Sequence, residues 1–238
     1  MRLPPERRIA WEKAYRLVPS RYPPVDLFER ISDPADWETL AELEGMTNDR
    51  LREQMGDISA VPVAERISGP GASIIMAAFT HTGFPSRFSD GTYGVYYASA
   101  RLEGALREVA FHQARFLSRT REPVTRVEMR SYVCAVAGRL HDVRGGGWPR
   151  IHDPDVYAAG QTLGRVLRGA GGNGIVYDSV RMPGVSNVAA FWPKVVAASV
   201  RGKPHAVEGP HFFLTWDGGR IDRYLQVGEA AVWKPLEP

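Results

Sequence analysis

Residues 169–174 (GAGGNG) place three glycines at the spacing G-x-G-x-x-G, which is typical of a loop that binds the pyrophosphate of a dinucleotide. Such a loop follows a strand and opens a helix, because amides at the helix N-terminus bind the phosphates. Here the order is reversed, since a helical pattern ends at the glycines and a strand-like run follows at 175–180. The C-terminus of a helix carries partial negative charge and disfavours phosphate. The sequence therefore predicts a helix-terminating turn here and not a dinucleotide site.

The remaining pattern predicts clustered strands with helices inserted between them. The clearest helix covers about 100–118 and begins after Ser99, a capping residue. Asp153-Pro154 predicts the start of another helix, and two short helices are expected between 33 and 56. Strands are predicted at 72–80, 94–98, 123–133, 175–180, 187–191 and 195–200, with a hairpin at 211–227 around the turn DGG. This order is typical of an α+β domain and not of a repeated βαβ series.

The composition is that of an ordinary globular protein and limits its location and partners. The chain has 238 residues and a formal net charge of +3. Its apolar runs are too short to span a bilayer, its charged N-terminus lacks a signal-peptide core, and its single cysteine, Cys134, permits no internal disulfide. We therefore expect a cytoplasmic protein without membrane contact. The basic residues are scattered and no H-x-x-x-H pair occurs, so neither a nucleic-acid groove nor a metal site is predicted.

Residues 87–112 contain the densest group of candidate site residues. Arg87 precedes a predicted strand, Tyr97 lies near its end, and Glu108 follows inside the clearest helix. On a helical wheel Glu108 borders the apolar stripe, where a carboxylate is held still and partly desolvated, as a working carboxylate should be. His112 lies on the same edge of the helix, four residues further on. The structural alternative is an ordinary boundary position, where Glu108 pairs with His112.

The ordered set of Arg87, Tyr97 and Glu108, followed by GIVYDSVR with Ser179, resembles the RES domain family. Gln161 on a helix, followed by a glycine turn and a strand, matches the later half of the family pattern. The resemblance covers most of the chain. It implies a single compact α+β domain similar to the ADP-ribosyltransferase toxins, with small sheets around a cleft and flanking helices.

The resemblance also implies an activity. Members of the family degrade NAD, some as NAD phosphorylases, and most are toxins paired with Xre-type antitoxins. We therefore expect NAD and inorganic phosphate as substrates, nicotinamide and ADP-ribose-1″-phosphate as products, and no prosthetic group. An NAD glycohydrolase and a mono-ADP-ribosyltransferase are the alternatives, and a non-enzymatic basic binding module is a further one. The expected partner is an Xre-type antitoxin, through which alone nucleic acid would be contacted.

Roles for individual residues follow from the same resemblance. Glu108 is expected to stabilise positive charge on the ribose, as carboxylates do in glycoside hydrolysis. Arg87, with Arg16 or Arg21, is expected to bind the pyrophosphate or the incoming phosphate. The implied catalytic residues are Arg87, Glu108 and Ser179, and the implied substrate-binding residues are Arg16, Arg21, Tyr97, Gln161 and His112.

The chain departs from compact family members around these positions. P-S-R-F-S surrounds the arginine, and Asp178 stands before Ser179, where proline is frequent. About 70 further N-terminal residues are present, so we divide the single domain into an extension, residues 1–70, that packs on a catalytic core, residues 71–238. Structural alternatives stay open: Ser179 as a capping hydroxyl, Tyr97 as sheet packing and Gln161 as a solvated residue. For Asn187 we expect a role in satisfying turn amides.

Overall fold

The structure is a computed structural model that describes residues 3–20, 29, 35, 37–39, 55–120, 122–197, 203–228 and 232–236. One long strand, β3 (Thr125–Asp142), organises the sheet, as its alternating sequence predicts. Strand β1 (Glu6–Pro19) runs antiparallel beside β3 over its whole length. Strand β1 was not predicted, because a bulge between Trp11 and Ala14 interrupts the alternation of its buried side chains.

Among the described strands, five close into a ring. Strand β2 (Tyr96–Ser99) pairs with β1 at one point and with β5 (Ser186–Ala190) along its length. Strand β5 pairs with β4 (Gly174–Asp178), and β4 joins β3 in parallel, which leads back to β1. The sheet continues with β6 (Ala206–Trp216), which pairs with the earlier part of β3 on the edge opposite β1, and then with β7 (Ile221–Gln226) and β8 (Lys234–Pro235). This mixed sheet with its flanking helices confirms the α+β prediction.

Helix α1 (Ala72–Thr80) corrects the strand predicted at 72–80. Ile75 and Met76 are completely buried, and the helix packs against the largest group of core residues. A helix that is buried on nearly all sides has no polar face, so its sequence lacks a 3.6-residue period. A short apolar run of this kind cannot be distinguished from a buried strand by periodicity.

The two helices that follow α1 agree more closely with their predictions. Helix α2 (Leu102–Leu117) lies inside the predicted range of 100–118. Helix α3 (Ala158–Gly169) begins later than the predicted start at Asp153-Pro154. The delay has a local cause, because the side chain of Asp153 accepts hydrogen bonds from the amides of Asp155 and Val156 and so forms a turn before the helix.

The glycine segment joins α3 to β4, and this confirms the predicted order of helix, turn and strand. Gly171 has a φ of +78°, and the amide of Gly172 donates to the carbonyl of Leu167. These are features of a helix C-terminus. Gly174 opens β4 for another reason, since a Cβ there would stand 2.3 Å from the carbonyl oxygen of Ala189 on β5.

Several further predictions have mixed outcomes. Strands β6 and β7 form the predicted hairpin around the turn DGG. The strand predicted at 195–200 is wrong where the structure describes it, because Pro193–Val195 is a 3-10 helix. The helices predicted between 33 and 56 fall largely outside the described residues. The division at residue 70 stays a prediction; β1, from the first part, is hydrogen-bonded to β3 from the second.

The core residues also locate the cleft. Leu163 of α3 belongs to one buried cluster, with Tyr97 packed at its edge. Leu106 of α2 belongs to another, with Tyr15 at its edge. Because Tyr97 and Tyr15 line the same cavity, the cleft opens between the α2 and α3 clusters. In the described part of the chain, no helix combines the length and the apolarity needed to cross a membrane.

Candidate active site

The cleft is a cavity of about 660 Å³ with walls from β1, β2, β4, β5, α2, α3 and the segment 85–87. Six of the eight residues predicted for the site line it: Arg16, Arg87, Tyr97, Glu108, His112 and Gln161. Ser179 reaches the same site through a hydrogen bond to Glu108. Arg21 lies outside the described residues. Segments that are far apart in the sequence thus meet in one place.

Glu108 is held by one of its two carboxylate oxygens. Oε1 accepts a hydrogen bond from Ser179 Oγ at 2.8 Å and another from Asn187 Nδ2 at 2.9 Å. Among the described residues, Oε2 has no hydrogen-bond partner and the side chain forms no ion pair with His112. The alternative in which Glu108 simply pairs with His112 is therefore wrong. The carboxylate is fixed on one side and keeps one oxygen for a ligand.

Ser179 lies in the turn that follows β4, and its hydroxyl has two functions. Ser179 Oγ accepts hydrogen bonds from the amides of Arg181, at 3.2 Å, and Met182, at 3.1 Å. Because the acceptor positions are occupied, the hydroxyl hydrogen points to Glu108. The capping alternative is thus correct, and the same hydroxyl also orients the carboxylate.

Asn187 has a different role from the one expected for it. It lies on β5, is 2% exposed, and donates to Glu108 instead of satisfying turn amides. A buried side-chain amide is costly unless it is hydrogen-bonded. An asparagine inside the otherwise apolar run 187–191 was therefore a signal that a polar partner lies opposite that strand.

Arg87 is positioned by backbone carbonyls and an aromatic ring. Its Nη1 donates to the carbonyl oxygens of Ile151, at 3.0 Å, and Asp153, at 2.7 Å, and Cζ lies 4.5 Å from the ring centroid of Tyr157. Among the described residues, Nε and Nη2 have no hydrogen-bond partner. Arg87 is 8% exposed and lines the cavity. A fixed cation with free donors is suited to binding an anion.

Tyr97 and Gln161 hold the segment that carries Arg87. The Tyr97 hydroxyl accepts from the amide of Phe88 at 2.9 Å and shares a hydrogen bond of 2.8 Å with Ser86 Oγ. Gln161 Nε2 donates to the carbonyl of Ser86 at 3.0 Å. Burial raises the pKa of Tyr97, so its hydroxyl stays protonated at neutral pH. These two side chains position Arg87, while the ring of Tyr97 faces the cavity.

Two glycines of α3, which the sequence analysis did not single out, place the same segment. A Cβ at Gly160 would stand 2.4 Å from the carbonyl oxygen of Arg87, and one at Gly164 would stand 2.1 Å from that of Phe88. These distances are far shorter than van der Waals contact. Their spacing of four residues puts both on one face of α3, which was the available signal.

Of the two arginines left open by the sequence, Arg16 lies at the cleft, and Arg21 is outside the described residues. It projects from β1, and its Nη1 donates to the carbonyl of Tyr97 at 3.2 Å. Its Cζ lies 4.6 Å from the ring centroid of Tyr96. The N-terminal strand thus contributes a cation to the site, and its Tyr15 and Leu17 also line the cavity.

Further cations surround His112. One side of this residue is open to solvent, but poor solvation of the ring in the cleft lowers the pKa of His112 to about 4, and the charges of Arg181, Arg87 and Arg115 contribute. The imidazole is therefore neutral at pH 7. Arg115 and Arg119 also line the cavity and were not predicted. Their positions, seven and eleven residues after Glu108, were a readable helical spacing.

The cleft as a whole is cationic with one anchored carboxylate. Four arginines line it, and the acidic side chains in its wall are those of Glu108 and Asp155. Among the described residues, no group of three or more His, Cys, Asp or Glu side chains is placed to hold a metal ion. Such a site is suited to an anionic ligand in which positive charge develops beside Glu108.

Comparisons with known proteins identify the family to which the chain is similar. A family model described as the RES domain matches residues 63–217, which include Arg87, Glu108 and Ser179. An uncharacterized protein, y4oC of Sinorhizobium fredii (strain NBRC 101917 / NGR234), is 29% identical over 213 residues, which cover 88% of this chain and 85% of that protein. A chain of the M. tuberculosis MbcT–MbcA toxin–antitoxin complex is 11% identical, with a TM-score of 0.43, over 92% of this chain and 86% of that chain.

Proposed function

Because this chain belongs to the RES domain family, we propose that it cleaves the bond between nicotinamide and ribose in NAD, with inorganic phosphate as the acceptor. One observation carries the proposal. Glu108 is anchored through Oε1 by Ser179 and Asn187, while its other oxygen belongs to a cleft lined by arginines. This arrangement places a carboxylate that stabilises positive charge on the ribose beside guanidinium groups that bind phosphates.

The chemistry requires a carboxylate at the anomeric carbon. A phosphate oxygen forms a bond to C1″ while the bond from C1″ to the pyridinium nitrogen breaks. The electron pair of the broken bond moves to that nitrogen, so nicotinamide leaves as a neutral molecule. Positive charge builds on the ribose meanwhile, and a fixed carboxylate stabilises it in the transition state. Glu108 supplies this charge, and its two donors keep it from rotating away.

The arginines suit the anionic parts of both substrates. Elsewhere in the described chain many arginines pair with carboxylates, as Arg139 does with Glu6 and Arg144 with Asp142. Within the described residues, Arg16 and Arg87 in the cleft form no such ion pair. We assign Arg87, supported by Arg16, to the incoming phosphate or to the nearer phosphate of NAD, since guanidinium donors form strong charge-assisted hydrogen bonds with phosphate oxygens.

The acceptor separates this proposal from its alternatives. With water as the acceptor the product is ADP-ribose, and with a macromolecule it is an ADP-ribosylated target. Arginine-directed transferases carry a second acidic or amide side chain two residues before the catalytic glutamate. That position is Leu106 here, which is 1% exposed in the core. The local sequence therefore favours a small acceptor.

Product analysis tests the proposal directly. Purified protein is incubated with NAD, with and without inorganic phosphate, and nicotinamide and the ribose products are separated by chromatography. We expect nicotinamide and ADP-ribose-1″-phosphate, with turnover that depends on phosphate. ADP-ribose as the product would reassign the enzyme as a glycohydrolase, and intact NAD after long incubation with phosphate would overturn the proposal.

A pair of variants on one helix links the activity to the site. Glu108→Gln keeps the shape of the side chain but removes its charge, so turnover should fall at least about a hundred-fold. Glu103→Gln is the matched control, because Glu103 lies in the first turn of α2, is exposed and pairs with Arg101. The control should retain full activity, and both variants should melt within a few degrees of the wild-type protein.

We extend the proposal to a cellular role as the toxin of a toxin–antitoxin pair that acts in the cytoplasm. Depletion of NAD stops growth, so the host needs a partner that binds and blocks the enzyme. The partner we propose is an Xre-type protein, and any contact with DNA would go through it. Expression of the chain alone should arrest growth, and co-expression of the adjacent antitoxin gene should restore it. Unchanged growth and NAD levels with active enzyme present would contradict this role.

A further inference from the structure

Two arginines at the end of α2 have no part in the reaction as proposed so far. Arg115 and Arg119 follow Glu108 by seven and eleven residues, and all three line the same cavity. In the described part of the chain, neither arginine forms an ion pair or donates a side-chain hydrogen bond. Two unpaired cations thus line the wall that holds the anchored carboxylate.

The contacts of Arg115 strengthen this observation. Its Cζ lies 5.9 Å from the ring centroid of Tyr157, and Cζ of Arg87 lies 4.5 Å from the centroid of the same ring. Two guanidinium groups are therefore held near one aromatic ring, with no ion pair to a carboxylate in the described residues. Like charges that line one cavity repel each other, and a bound anion that contacts both offsets the repulsion.

The spacing along α2 fits the length of a dinucleotide. A rise of 1.5 Å per residue puts Arg115 about 10 Å along the axis from Glu108, and Arg119 lies two residues beyond the last residue of α2. In NAD, five covalent bonds separate the anomeric carbon from the nearer phosphorus and two more separate the two phosphorus atoms. At about 1.2 Å of span per bond, the farther phosphate lies roughly 8 Å from the reacting carbon. The long side chain of Arg115 spans the difference between its position along the axis and that of the farther phosphate.

We propose that Arg115 and Arg119 bind the phosphate-bearing AMP half of NAD, which then extends along α2 from Glu108 toward the end of the helix. This inference rests on the proposed function, because it places the nicotinamide ribose at Glu108. Its consequence is a length preference. Nicotinamide mononucleotide has the same scissile bond but no AMP half, so it lacks the group that this subsite binds.

A structural explanation of the same arginines makes a different prediction. Basic residues in the last turn of a helix stabilise it through the helix dipole, and Arg115 lies in the last turn of α2. Under that explanation the arginines contribute to folding, and removing one lowers the melting temperature without a selective effect on ligands. Binding and stability therefore have to be measured on the same proteins.

Binding of ADP tests the subsite without any reaction. ADP carries the AMP half and the pyrophosphate but has no nicotinamide, so its affinity does not depend on turnover. By calorimetry, Arg115→Ala and Arg119→Ala should each weaken ADP binding about ten-fold or more, because each removes a charge-assisted contact. Arg107→Ala is the matched control, since Arg107 is on the same helix and does not line the cavity. Equal ADP affinities in all four proteins, wild type included, would overturn the proposal.

A second measurement compares the two substrates. In Arg115→Ala, kcat/KM for NAD should fall about ten-fold, while kcat/KM for nicotinamide mononucleotide should not change. Equal losses of kcat/KM for both substrates would show that Arg115 acts on the fold or at the nicotinamide end, and would overturn the proposed subsite. If no protein releases nicotinamide from either compound, the proposed function has failed, and the ADP measurement still decides whether the subsite exists.

Discussion

Helices α2 and α3 face the same cleft and build it in opposite ways. α2 presents polar side chains to the cavity, among them Glu108 and His112. α3 contributes mainly by lacking side chains, because Gly160 and Gly164 let the backbone of Arg87 and Phe88 lie directly against the helix. The contribution of α2 to the cleft therefore depends on the chemical type of its side chains. The contribution of α3 depends on the small size of its residues at the contact, because this size sets the position of Arg87.

Among the substitutions that test this contrast, the largest effect is expected on the α3 side, where adding one methyl group should lower both stability and turnover. In Gly164→Ala the new Cβ would stand 2.1 Å from the carbonyl oxygen of Phe88, so the segment that carries Arg87 must move. We expect a stability loss of about 1–3 kcal/mol from overpacking. Turnover should fall about a hundred-fold, since displacement of a binding group by 1 Å has effects of that size. Urea unfolding and nicotinamide release measure the two quantities.

Gly169→Ala is the control on the same helix. Gly169 is the last residue of α3, and a Cβ there meets no atom within 4 Å. The substitution should leave activity unchanged and stability equal or slightly higher. If Gly164→Ala keeps full activity, or if both alanines act alike, the close approach of backbone to α3 does not position Arg87, and the contrast between the two helices fails.

The α2 side should respond to charge instead. Asn187→Asp puts a second carboxylate beside Glu108 in place of a donor. Like charges raise carboxyl pKa values, so the pair should hold a proton to higher pH. We expect turnover at neutral pH to fall about ten-fold and the acid limb of the pH–rate profile to move to higher pH. The raised pKa in the folded protein also means that the contribution of this pair to stability is fully present below about pH 4 and is lost as pH rises above that value.

Asn187→Ala separates the added charge from the lost hydrogen bond. Alanine removes the donor to Glu108 Oε1 but leaves the one from Ser179. Its activity should fall as well, but its acid limb should not move upward as that of Asn187→Asp does. Identical pH profiles for the two variants would show that Asn187 supports the fold and does not set the electrostatics of Glu108.

The same contrast explains which parts of the structure the sequence predicted. Helix α2 and the position of Glu108 beside its apolar stripe were readable, because an amphipathic helix repeats its pattern every few residues. Helix α1 was not, since Ile75 and its neighbours are buried on all sides and leave no polar period. Gly160 and Gly164 offered only their spacing of four residues as a signal, because their role is the absence of atoms at a contact between distant segments.

Other parts of the site were missed because they depend on pairing across the sheet. Strand β1 brings Arg16 to the cleft, but its bulge hides the alternation that would have marked it as a strand. Asn187 was noticed and misassigned, since its partner is 79 residues away in the sequence. The resemblance to a family identified six residues that line the cavity. Two more, Arg115 and Arg119, follow Glu108 in the sequence and were not predicted.

Gly171→Ala should have a smaller effect, confined to stability. Gly171 has a φ of +78°, which costs a residue with a Cβ about 1–2 kcal/mol, but its Cβ position is in open space. Because the turn ends α3 away from the cleft, ADP affinity and turnover of the folded protein should equal those of the wild type. A selective loss of nucleotide binding in stably folded Gly171→Ala would restore the dinucleotide-loop interpretation of GAGGNG.

The smallest expected effect is on the loss of stability at low pH, and it comes from His112 on the α2 side of the cleft. The cleft lowers the pKa of His112 from 6.5 to about 4, so between these values the unfolded chain binds a proton that the folded protein does not. His112 therefore lowers stability as pH falls from about 6.5 toward 4. Replacing it in His112→Gln should reduce the loss of melting temperature between pH 7 and pH 5. His205→Gln is the control, because His205 lies outside the cavity wall and its Nε2 meets the carbonyl of Ser68. Equal acid sensitivity in wild type and His112→Gln would show that neither the poor solvation of the ring nor the cations of the cleft lower the pKa of this imidazole.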